Sequence, residues 1–198
     1  MPLKAYFTKG ISEAGCDEAG RGCLAGPVTA AAVILDPKRP IQDLNDSKLI
    51  KAKDRDRLRI LIEQHALAYA VAFVSVEEID EINILNASIL AMQNALDQLS
   101  IPFEHIIVDG NRFKSYYSDR HKTIVPYTTI VKGDAKFASI AAASILAKTY
   151  RDDFMQKIDL DFPAYGWQQN KGYPTKAHRS SIKLNGPCIW HRKSYKLT

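Results

Sequence analysis

Residues 14–35, with the sequence AGCDEAGRGCLAGPVTAAAVIL, decide the fold of this chain. Ala14–Asp17 and Val28–Leu35 are predicted strands, because the second is an apolar, β-branched run closed by an Asp-Pro pair. Between them lies a glycine-rich loop, Gly20-Arg21-Gly22, which follows two adjacent carboxylates. The chain therefore starts with a pair of strands, and a charged, glycine-rich connection joins them.

The rest of the pattern alternates between helices and strands. Further strands are predicted at Val71–Val76, His105–Val108 and Thr123–Val131. Helices are predicted over about residues 54–68, along the apolar stripe Leu85, Ile89, Met92, Leu96 and Leu99, and over about residues 135–153. The last helix has small residues all round its middle, which predicts close burial against a sheet. A strand pair followed by alternating helices and strands indicates a mixed α/β sheet.

The loop by itself allows a second interpretation. Gly20-Arg21-Gly22-Cys23-Leu24-Ala25 satisfies the dinucleotide-binding pattern G-x-G-x-x-G/A. In that fold, however, the loop leads into a helix whose N-terminus holds the pyrophosphate, whereas Pro27 and Val28–Leu35 predict another strand. Asp17 and Glu18 would also lie beside the bound phosphates with no cation between them. We therefore expect no dinucleotide site.

Four acids lie where strands of the predicted sheet end. Asp17 and Glu18 end the first strand, Asp109 follows the strand at His105, and Asp134 follows the strand that ends near residue 131. Ligands of open α/β sheets bind at the carboxyl ends of the strands, so the four can converge. Each also has a local explanation: a solvated surface pair for the first two, a turn at Asp109 and a helix cap at Asp134.

If the four acids converge, their carboxylates predict a particular chemistry. Carboxylates brought together raise one another's pKa unless a cation neutralises them. A set of oxygen ligands with no histidine or cysteine cluster selects Mg²⁺ or Mn²⁺ rather than zinc. Two such ions can activate a water and stabilise the leaving oxygen of an in-line phosphoryl displacement. Four convergent acids therefore predict metal-dependent hydrolysis of a phosphodiester.

The charge is distributed unevenly along the chain. No acidic residue follows Asp161, whereas seven basic residues lie within residues 162–198, so residues 1–161 hold all 22 acids against the other 20 of the 27 Lys and Arg. Tyrosines and tryptophans are interleaved with this basic segment: Tyr165, Trp167, Tyr173, Trp190 and Tyr195. Cations and flat rings together are typical of a nucleic-acid surface. A solvated basic tail with its aromatic residues buried in a core explains the same composition.

Several classes of protein are disfavoured by composition. No run approaches the roughly 18 apolar residues of a membrane span, and the N-terminus has no apolar signal core, so we expect a cytoplasmic protein. Three cysteines without C-x-x-C spacing argue against a disulfide framework or a zinc site. A G-x-S-x-G elbow is absent, and the five histidines form no catalytic motif.

The motifs together resemble type 2 ribonuclease H, ribonuclease HII, in its bacterial form. They occur in family order across about residues 14–192. The matching blocks are residues 17–28, Asp46-Ser47-Lys48, residues 108–111, Lys132-Gly133-Asp134, Ser139–Lys148 with Arg151-Asp152, and Gly172-Tyr173-Pro174-Thr175 with His178. The resemblance implies a single catalytic domain over residues 1–198: a ribonuclease H-like mixed sheet flanked by helices, with a helical or irregular basic appendage over about residues 160–198.

The resemblance also implies an activity and a site. The activity is endonucleolytic hydrolysis of RNA in RNA–DNA hybrids, and cleavage 5′ of ribonucleotides embedded in duplex DNA, leaving 3′-hydroxyl and 5′-phosphate ends. Asp17, Glu18, Asp109 and Asp134 become the metal-binding catalytic acids, with Mg²⁺ or Mn²⁺ as cofactor and two ions when substrate is bound. Gly20, Arg21 and Gly22 are similar to a loop that reads the ribose, Tyr173 to a ring that stacks on the following deoxyribose, and Lys48 to a group that approaches the phosphates. Whether the Arg21 side chain binds phosphate or pairs with an acid stays open.

Other features set limits on this interpretation. The end of the chain, residues 186–195, matches the bacterial pattern more loosely and shows no Q-x-x-L-x-x-F-like tail, so we expect no sliding-clamp partner through such a tail. Only 16 residues precede Asp17, so we do not expect the additional N-terminal domain of type 3 relatives. We expect a monomer, since no heptad pattern stands out. A non-catalytic nucleic-acid-binding module, and another nuclease of this fold such as a junction resolvase or an integrase-like enzyme, are the competing hypotheses.

Overall fold

A computed structural model describes residues 3–45, 50–120 and 122–198. Its strands are β1 (Glu13–Ala19), β2 (Val28–Leu35), β3 (Ala66–Val74), β4 (His105–Asp109), β5 (Tyr116–Ser118), β6 (Thr123–Val125) and β7 (Tyr127–Ile130). Its α-helices are α1 (Ala52–His65), α2 (Val76–Asp97), α3 (Ala138–Asp159), α4 (Trp167–Asn170) and α5 (Lys176–Asn185), and short 3₁₀ turns span Gly133–Ala135 and Pro163–Tyr165.

Five strands form one mixed sheet in the order β3-β2-β1-β4-β7. The pairs β1–β2 and β2–β3 are antiparallel, whereas β1–β4 and β4–β7 are parallel. Helix α2 packs on one face of the sheet, and α3 with α1 packs on the other. The prediction of a mixed α/β sheet flanked by helices is confirmed, and the glycine loop leads into β2 rather than into a helix.

Helix α3 lies close to the sheet because its first half is built from small residues. The alanines and serines from Ser139 to Ala147 are buried, and they pack against β1 and β2. This agrees with the burial predicted from sequence. Because α3 lies directly over β1, its Ser144 reaches the side chain of Asp17.

Several element boundaries differ from the predictions. Helix α1 ends at His65, and β3 begins at Ala66, within the segment predicted to be helical. The predicted strand Thr123–Val131 is divided at Pro126, because proline has no amide hydrogen to give to a strand ladder. Its first half, β6, pairs with β5 in a separate two-stranded sheet that the sequence did not predict.

The buried face of α2 differs from the predicted apolar stripe at one residue. Ile89, Met92, Leu96 and Leu99 are buried as expected, but Leu85 is exposed. The cause is Asn83, which has a positive φ of 65° and interrupts the helical geometry, so the residues next to it do not continue the face of the later turns.

The C-terminal segment is helical and irregular, and a small core holds it against α3. Trp167, Tyr165 and Ile182 pack there with Met155 and Ile158 of α3 and with Leu24 of the glycine loop. None of the helices in the described part of the chain has the length and apolar character that crossing a bilayer requires.

Candidate active site

Asp17 and Asp109 lie side by side at the carboxyl ends of two neighbouring strands. Strands β1 and β4 are parallel, and Cys16 lies opposite Val108, so the next residue of each strand is one of the two acids. Asp17 is only 5% exposed, which rules out a solvated surface pair as its explanation. The parallel pairing of β1 with β4 therefore brings the two acids together, as the sequence predicted.

The pKa of Asp17 is raised well above the ordinary value of an aspartate. Burial is the main cause, and the neighbouring charges of Glu18 and Asp109 add to it. Two hydrogen bonds oppose the rise: one from the Ser144 side chain, and one from the Glu18 amide, whose nitrogen lies 2.7 Å from Asp17 Oδ1. Three carboxylates are therefore close enough to repel one another.

Asp134 is brought to the same edge by the turn that follows β7. Lys132 adopts the left-handed conformation with φ 55°, and the amide of Gly133 then donates to Asp109 Oδ1 across 2.6 Å. Asp134 is the next residue, and its side chain is buried. Helix α3 begins later, with Phe137 at its N-cap, so the alternative that Asp134 caps this helix is wrong.

Glu18 and Arg21 form an ion pair at the rim of this cluster. Arg21 Nη1 lies 3.2 Å from Glu18 Oε1, and the Arg21 side chain is half exposed. The structure thus shows the arginine paired with an acid. Arg21 is the exposed member of the pair, whereas the Glu18 side chain is only 11% exposed, so the guanidinium is the partner that another anion can reach.

The chemistry of the donor set fits a hard divalent cation. The acids supply only oxygen ligands, and the repulsion that raises the pKa of Asp17 is the kind that a bound cation removes. Within the described residues, however, no group of three or more Asp, Glu, His or Cys side chains is already arranged to hold a metal ion. The site gathers the donors without fixing them in a coordination geometry.

The glycine loop over residues 20–27 is held from below by a buried arginine of α3. Arg151 donates to three carbonyl oxygens: Pro27 O at 2.9 Å from Nε, Lys171 O at 2.8 Å from Nη1 and Ala25 O at 2.9 Å from Nη2. Gly20 has a φ of +95°, and a Cβ there would collide with the Arg151 side chain. Glycine is therefore required at residue 20 for both conformation and space.

Tyr173 lies beside this loop. The amide of Leu24 donates to Gly172 O at 2.8 Å, and Arg151 donates to the neighbouring carbonyl of Lys171. These hydrogen bonds hold the segment of Tyr173 against the glycine loop. The tyrosine is 38% exposed, and the Lys148 ammonium lies 5.7 Å from the centroid of its ring. The structure therefore places a partly exposed ring on a segment that is hydrogen-bonded to the glycine loop.

Comparison with known proteins assigns the family. A family model described as ribonuclease HII matches residues 14–198. The chain belongs to the ribonuclease HII family. It is similar to the ribonuclease HII of Christiangramia forsetii, with 60% identity over 195 residues, which is 98% of this chain and 95% of that relative. As a member of the ribonuclease HII family it is a metal-dependent endoribonuclease that acts on RNA–DNA hybrids.

Solved structures agree with this assignment. The ribonuclease H2 from Pyrococcus horikoshii OT3 is 26% identical with a TM-score of 0.77, covering 94% of this chain and 95% of that one. Bst-RNase HIII in complex with Mn²⁺ is 20% identical with a TM-score of 0.72, covering 95% of this chain and 68% of that one, and shows likeness of fold alone. The ribonuclease H-like fold is thus confirmed. Membership of the ribonuclease HII family contradicts the hypothesis of a non-catalytic module and favours the hybrid nuclease over a junction resolvase.

Two predicted features of the substrate surface need comment. Lys48 lies outside the described residues. The basic segment is only partly a surface, because Arg192 is fully buried, and Tyr165 and Trp167 belong to a core. Lys176, Lys183, Lys193 and Lys196 are exposed. The exposed lysines and buried rings fit the explanation of a solvated basic segment whose aromatic residues lie in a core, although Tyr173 is partly exposed. A nucleic-acid surface stays a prediction.

The sequence did not single out the residues that support the ribonuclease HII site. From the sequence, Arg151 is one member of a matching block and Arg192 is one of seven basic residues near the C-terminus. Ser144 is one of the small residues of the third predicted helix. The signal in the sequence was an arginine that follows a run of small residues within the predicted third helix. Arg151 and Arg192 donate to carbonyl oxygens that are distant in sequence, and no local pattern encodes such contacts.

Proposed function

We propose that this enzyme cleaves duplex DNA on the 5′ side of single embedded ribonucleotides as well as the RNA strand of hybrids, leaving 3′-hydroxyl and 5′-phosphate ends. One observation carries the proposal. The crowded carboxylates at Asp17 lie one short loop away from exposed Gly22, and hydrogen bonds join that loop to the segment of Tyr173. The acids and the predicted ribose-reading loop therefore belong to one continuous site.

In this proposal, Asp17, Glu18, Asp109 and Asp134 hold Mg²⁺ or Mn²⁺, with two ions when substrate is bound. The oxygen-only donor set supports this choice of ion, as does the Mn²⁺ complex of the type 3 protein with the same fold. When bound, such ions activate water and stabilise the leaving oxygen of an in-line displacement. The chain itself gathers the carboxylates, while Ser144 and the Gly133 amide orient Asp17 and Asp109.

The loop Gly20-Arg21-Gly22 reads the ribose in this proposal. RNA and DNA differ locally by the 2′-hydroxyl, which is both a hydrogen-bond donor and an acceptor. A backbone can approach a sugar closely only where no side chain intervenes, and a Cβ at Gly22 would face open space on the exposed side of the loop. Tyr173 then packs its ring on the next deoxyribose, since flat rings bury sugars and bases efficiently.

Basic groups around the loop would position the phosphates. Arg21, the exposed member of its pair with Glu18, turns to a phosphate, and Lys48 approaches a neighbouring phosphate. The exposed lysines of the C-terminal segment add long-range attraction for a polyanion. We infer that the enzyme acts as a monomer on such duplexes.

The test uses three labelled duplexes of one sequence: all-DNA, DNA with one ribonucleotide, and an RNA–DNA hybrid. Each is incubated with EDTA, Mg²⁺ or Mn²⁺, and the ends are assigned by phosphatase treatment and by ligation. We expect metal-dependent cleavage 5′ of the ribonucleotide, with a ligatable 3′-hydroxyl. Cleavage of the hybrid alone would refute the embedded-ribonucleotide activity. A four-way all-DNA junction is tested in parallel, and its cleavage without any preference for the ribonucleotide-containing duplexes would favour the resolvase hypothesis.

A further inference from the structure

The last residues of the chain pack directly beneath the glycine loop. His191 forms an isolated antiparallel bridge with Ala25, the amide of Gly26 donates to Trp190 O at 2.9 Å, and the amide of Arg192 donates to Leu24 O at 2.9 Å. The C-terminal segment therefore continues the backbone hydrogen bonding of the loop.

Within this segment, the Arg192 guanidinium is completely buried. Its Nε and Nη2 donate to Gly26 O at 3.0 and 2.9 Å, and its Nη1 donates to Arg21 O at 3.0 Å. Among the described residues, no carboxylate lies within ion-pair distance of it. A buried cation is costly unless its donors are satisfied, so carbonyl dipoles of the loop take the place of a counter-ion.

The carbonyl of Arg21 receives two hydrogen bonds from this segment. Besides Arg192 Nη1, the Tyr195 hydroxyl donates to it at 2.8 Å. In a planar trans peptide the carbonyl and the following amide point in opposite directions. Because the Arg21 carbonyl is held inward, the amide hydrogen of Gly22 is directed outward, on the exposed side of the loop.

Helix α2 anchors the tyrosine in place. The Asp80 carboxylate accepts hydrogen bonds from the amide of Lys193 at 2.8 Å and from the amide of Ser194 at 3.0 Å. The residue after these two is Tyr195, whose ring packs against buried apolar residues of the core. The position of the hydroxyl under the loop is therefore set by the body of the protein.

We propose that Arg192 and Tyr195 are positioning residues that fix the Arg21–Gly22 peptide and thereby set the preference of the enzyme for a ribose 2′-hydroxyl. The proposal rests on the proposed function of the loop. An amide that is already oriented can meet the hydroxyl without an entropic cost of ordering, whereas a loop free to rotate this peptide would lose that advantage. Neither side chain needs to touch the substrate.

The test measures selectivity in binding, with cleavage prevented by the Asp109→Asn substitution. Affinities are determined in Mg²⁺ for a duplex with one ribonucleotide and for the all-DNA duplex of the same sequence. Tyr195→Phe keeps the ring in the core and removes only the hydroxyl, and Tyr117→Phe, on an exposed position of β5, is the matched control. We expect Tyr195→Phe to reduce the affinity ratio roughly three- to tenfold, the scale of one hydrogen bond, without changing the all-DNA affinity. Tyr117→Phe should leave the ratio unchanged.

Arg192→Lys is a second variant that retains the positive charge but loses the planar fork. It should lower the ratio at least as much as Tyr195→Phe; if it fails to fold, Tyr195→Phe decides the question alone. Equal weakening of both duplexes, or an unchanged ratio in Tyr195→Phe, would overturn the positioning role while leaving the proposed function intact. Absence of any ribonucleotide preference in the Asp109→Asn parent would refute the proposed function and this inference with it.

Discussion

Asp109 Oδ1 accepts a hydrogen bond from the backbone amide of Gly133, with 2.6 Å between oxygen and nitrogen. This contact joins the end of β4 to the turn that carries Asp134, so one carboxylate both holds the local fold and belongs to the acidic cluster. The bond needs only an acceptor oxygen at the Oδ1 position. The charge of Asp109, in contrast, raises the pKa of Asp17 and would attract a cation.

Asp109→Asn separates these two roles, because an amide oxygen can still accept from Gly133. We expect an unchanged far-ultraviolet spectrum and melting temperature within a few degrees, with cleavage of the one-ribonucleotide duplex reduced at least about 100-fold, since a metal site supplies several kcal/mol. Asp119→Asn, at an exposed residue that forms an ion pair with Lys122, is the control and should retain activity. Full activity in Asp109→Asn would remove this acid from the proposed site.

Asp17→Asn should stabilise the metal-free enzyme while abolishing its activity. The substitution removes a buried charge repelled by Glu18 and Asp109, and the amide oxygen can still accept from the Glu18 amide. We expect a gain of about 0.5–2 kcal/mol in the free energy of unfolding in EDTA, measured by urea denaturation. Added Mg²⁺ should stabilise the unmutated enzyme more than the variant. A less stable variant in EDTA would contradict this account of the cluster.

Gly20→Ala should lower the stability of the enzyme, whereas Gly22→Ala should lower its activity. A Cβ at Gly20 meets Arg151 and must adopt a φ of +95°, whereas a Cβ at Gly22 meets nothing within 4 Å. We expect Gly20→Ala to lower the free energy of unfolding by about 1–3 kcal/mol. Gly22→Ala should keep the stability of the parent but lose cleavage at single ribonucleotides at least tenfold. Equal activity of Gly22→Ala and the parent would show that the substrate does not approach this face of the loop.

Tyr173→Ala should weaken cleavage at an isolated ribonucleotide more than it weakens duplex binding. The ring is partly exposed beside the loop, and loss of a stacking contact costs about 1–3 kcal/mol, or roughly 5- to 150-fold. Tyr173→Phe retains the ring and should keep most of the activity. Tyr69→Ala, on β3, is a control of similar exposure. Unfolding of Tyr173→Ala would indicate a structural tyrosine instead.

The stability of the C-terminal core should decrease as the pH falls from about 6.5 towards 4. Trp167 Nε1 donates to His178 Nε2 at 3.0 Å, and the Cys188 amide donates to His191 Nδ1 at 3.0 Å, so both rings accept hydrogen bonds and are neutral. Burial lowers the pKa of His178. Burial, together with the repulsion that a protonated His178 would exert, lowers the pKa of His191 to about 4.

The sign of the pH effect follows from proton uptake. Between the unfolded pKa of about 6.5 and the folded pKa of His191 of about 4, the unfolded chain binds a proton that folded His191 does not. The lowered pKa of His178 acts in the same direction. Unfolding is therefore favoured as the pH falls, and the stabilisation is complete above the unfolded pKa. Melting temperatures at pH 7.5, 5.5 and 4.5 measure the effect. His191→Gln keeps a donor towards His178 but cannot titrate, so its melting temperature should depend less on pH than that of the His65→Gln control. Identical pH dependence in both variants would contradict the prediction.

The strands and the acidic residues were predictable because their signals are local. Val28–Leu35 is an apolar run that became β2 with the same bounds, and Asp109 ends its strand as expected. The hairpin of β5 and β6 was missed because each strand has only three residues. The exposure of Leu85 was missed because the interruption at Asn83 is a backbone conformation rather than a change in hydrophobic pattern.

By itself, the sequence determined the order of strands and helices, the four acids at strand ends and the glycine loop, because each is written in neighbouring residues. Only the tertiary structure decided that Asp17 is buried beside Asp109, that Arg21 pairs with Glu18, and that Arg192 lies beneath the loop rather than on a basic surface. Arg192 contributes equally to the composition and net charge of the chain whether it lies beneath the loop or on the surface. Which oxygens surround it depends on chain segments far apart in sequence, and only folding brings these together.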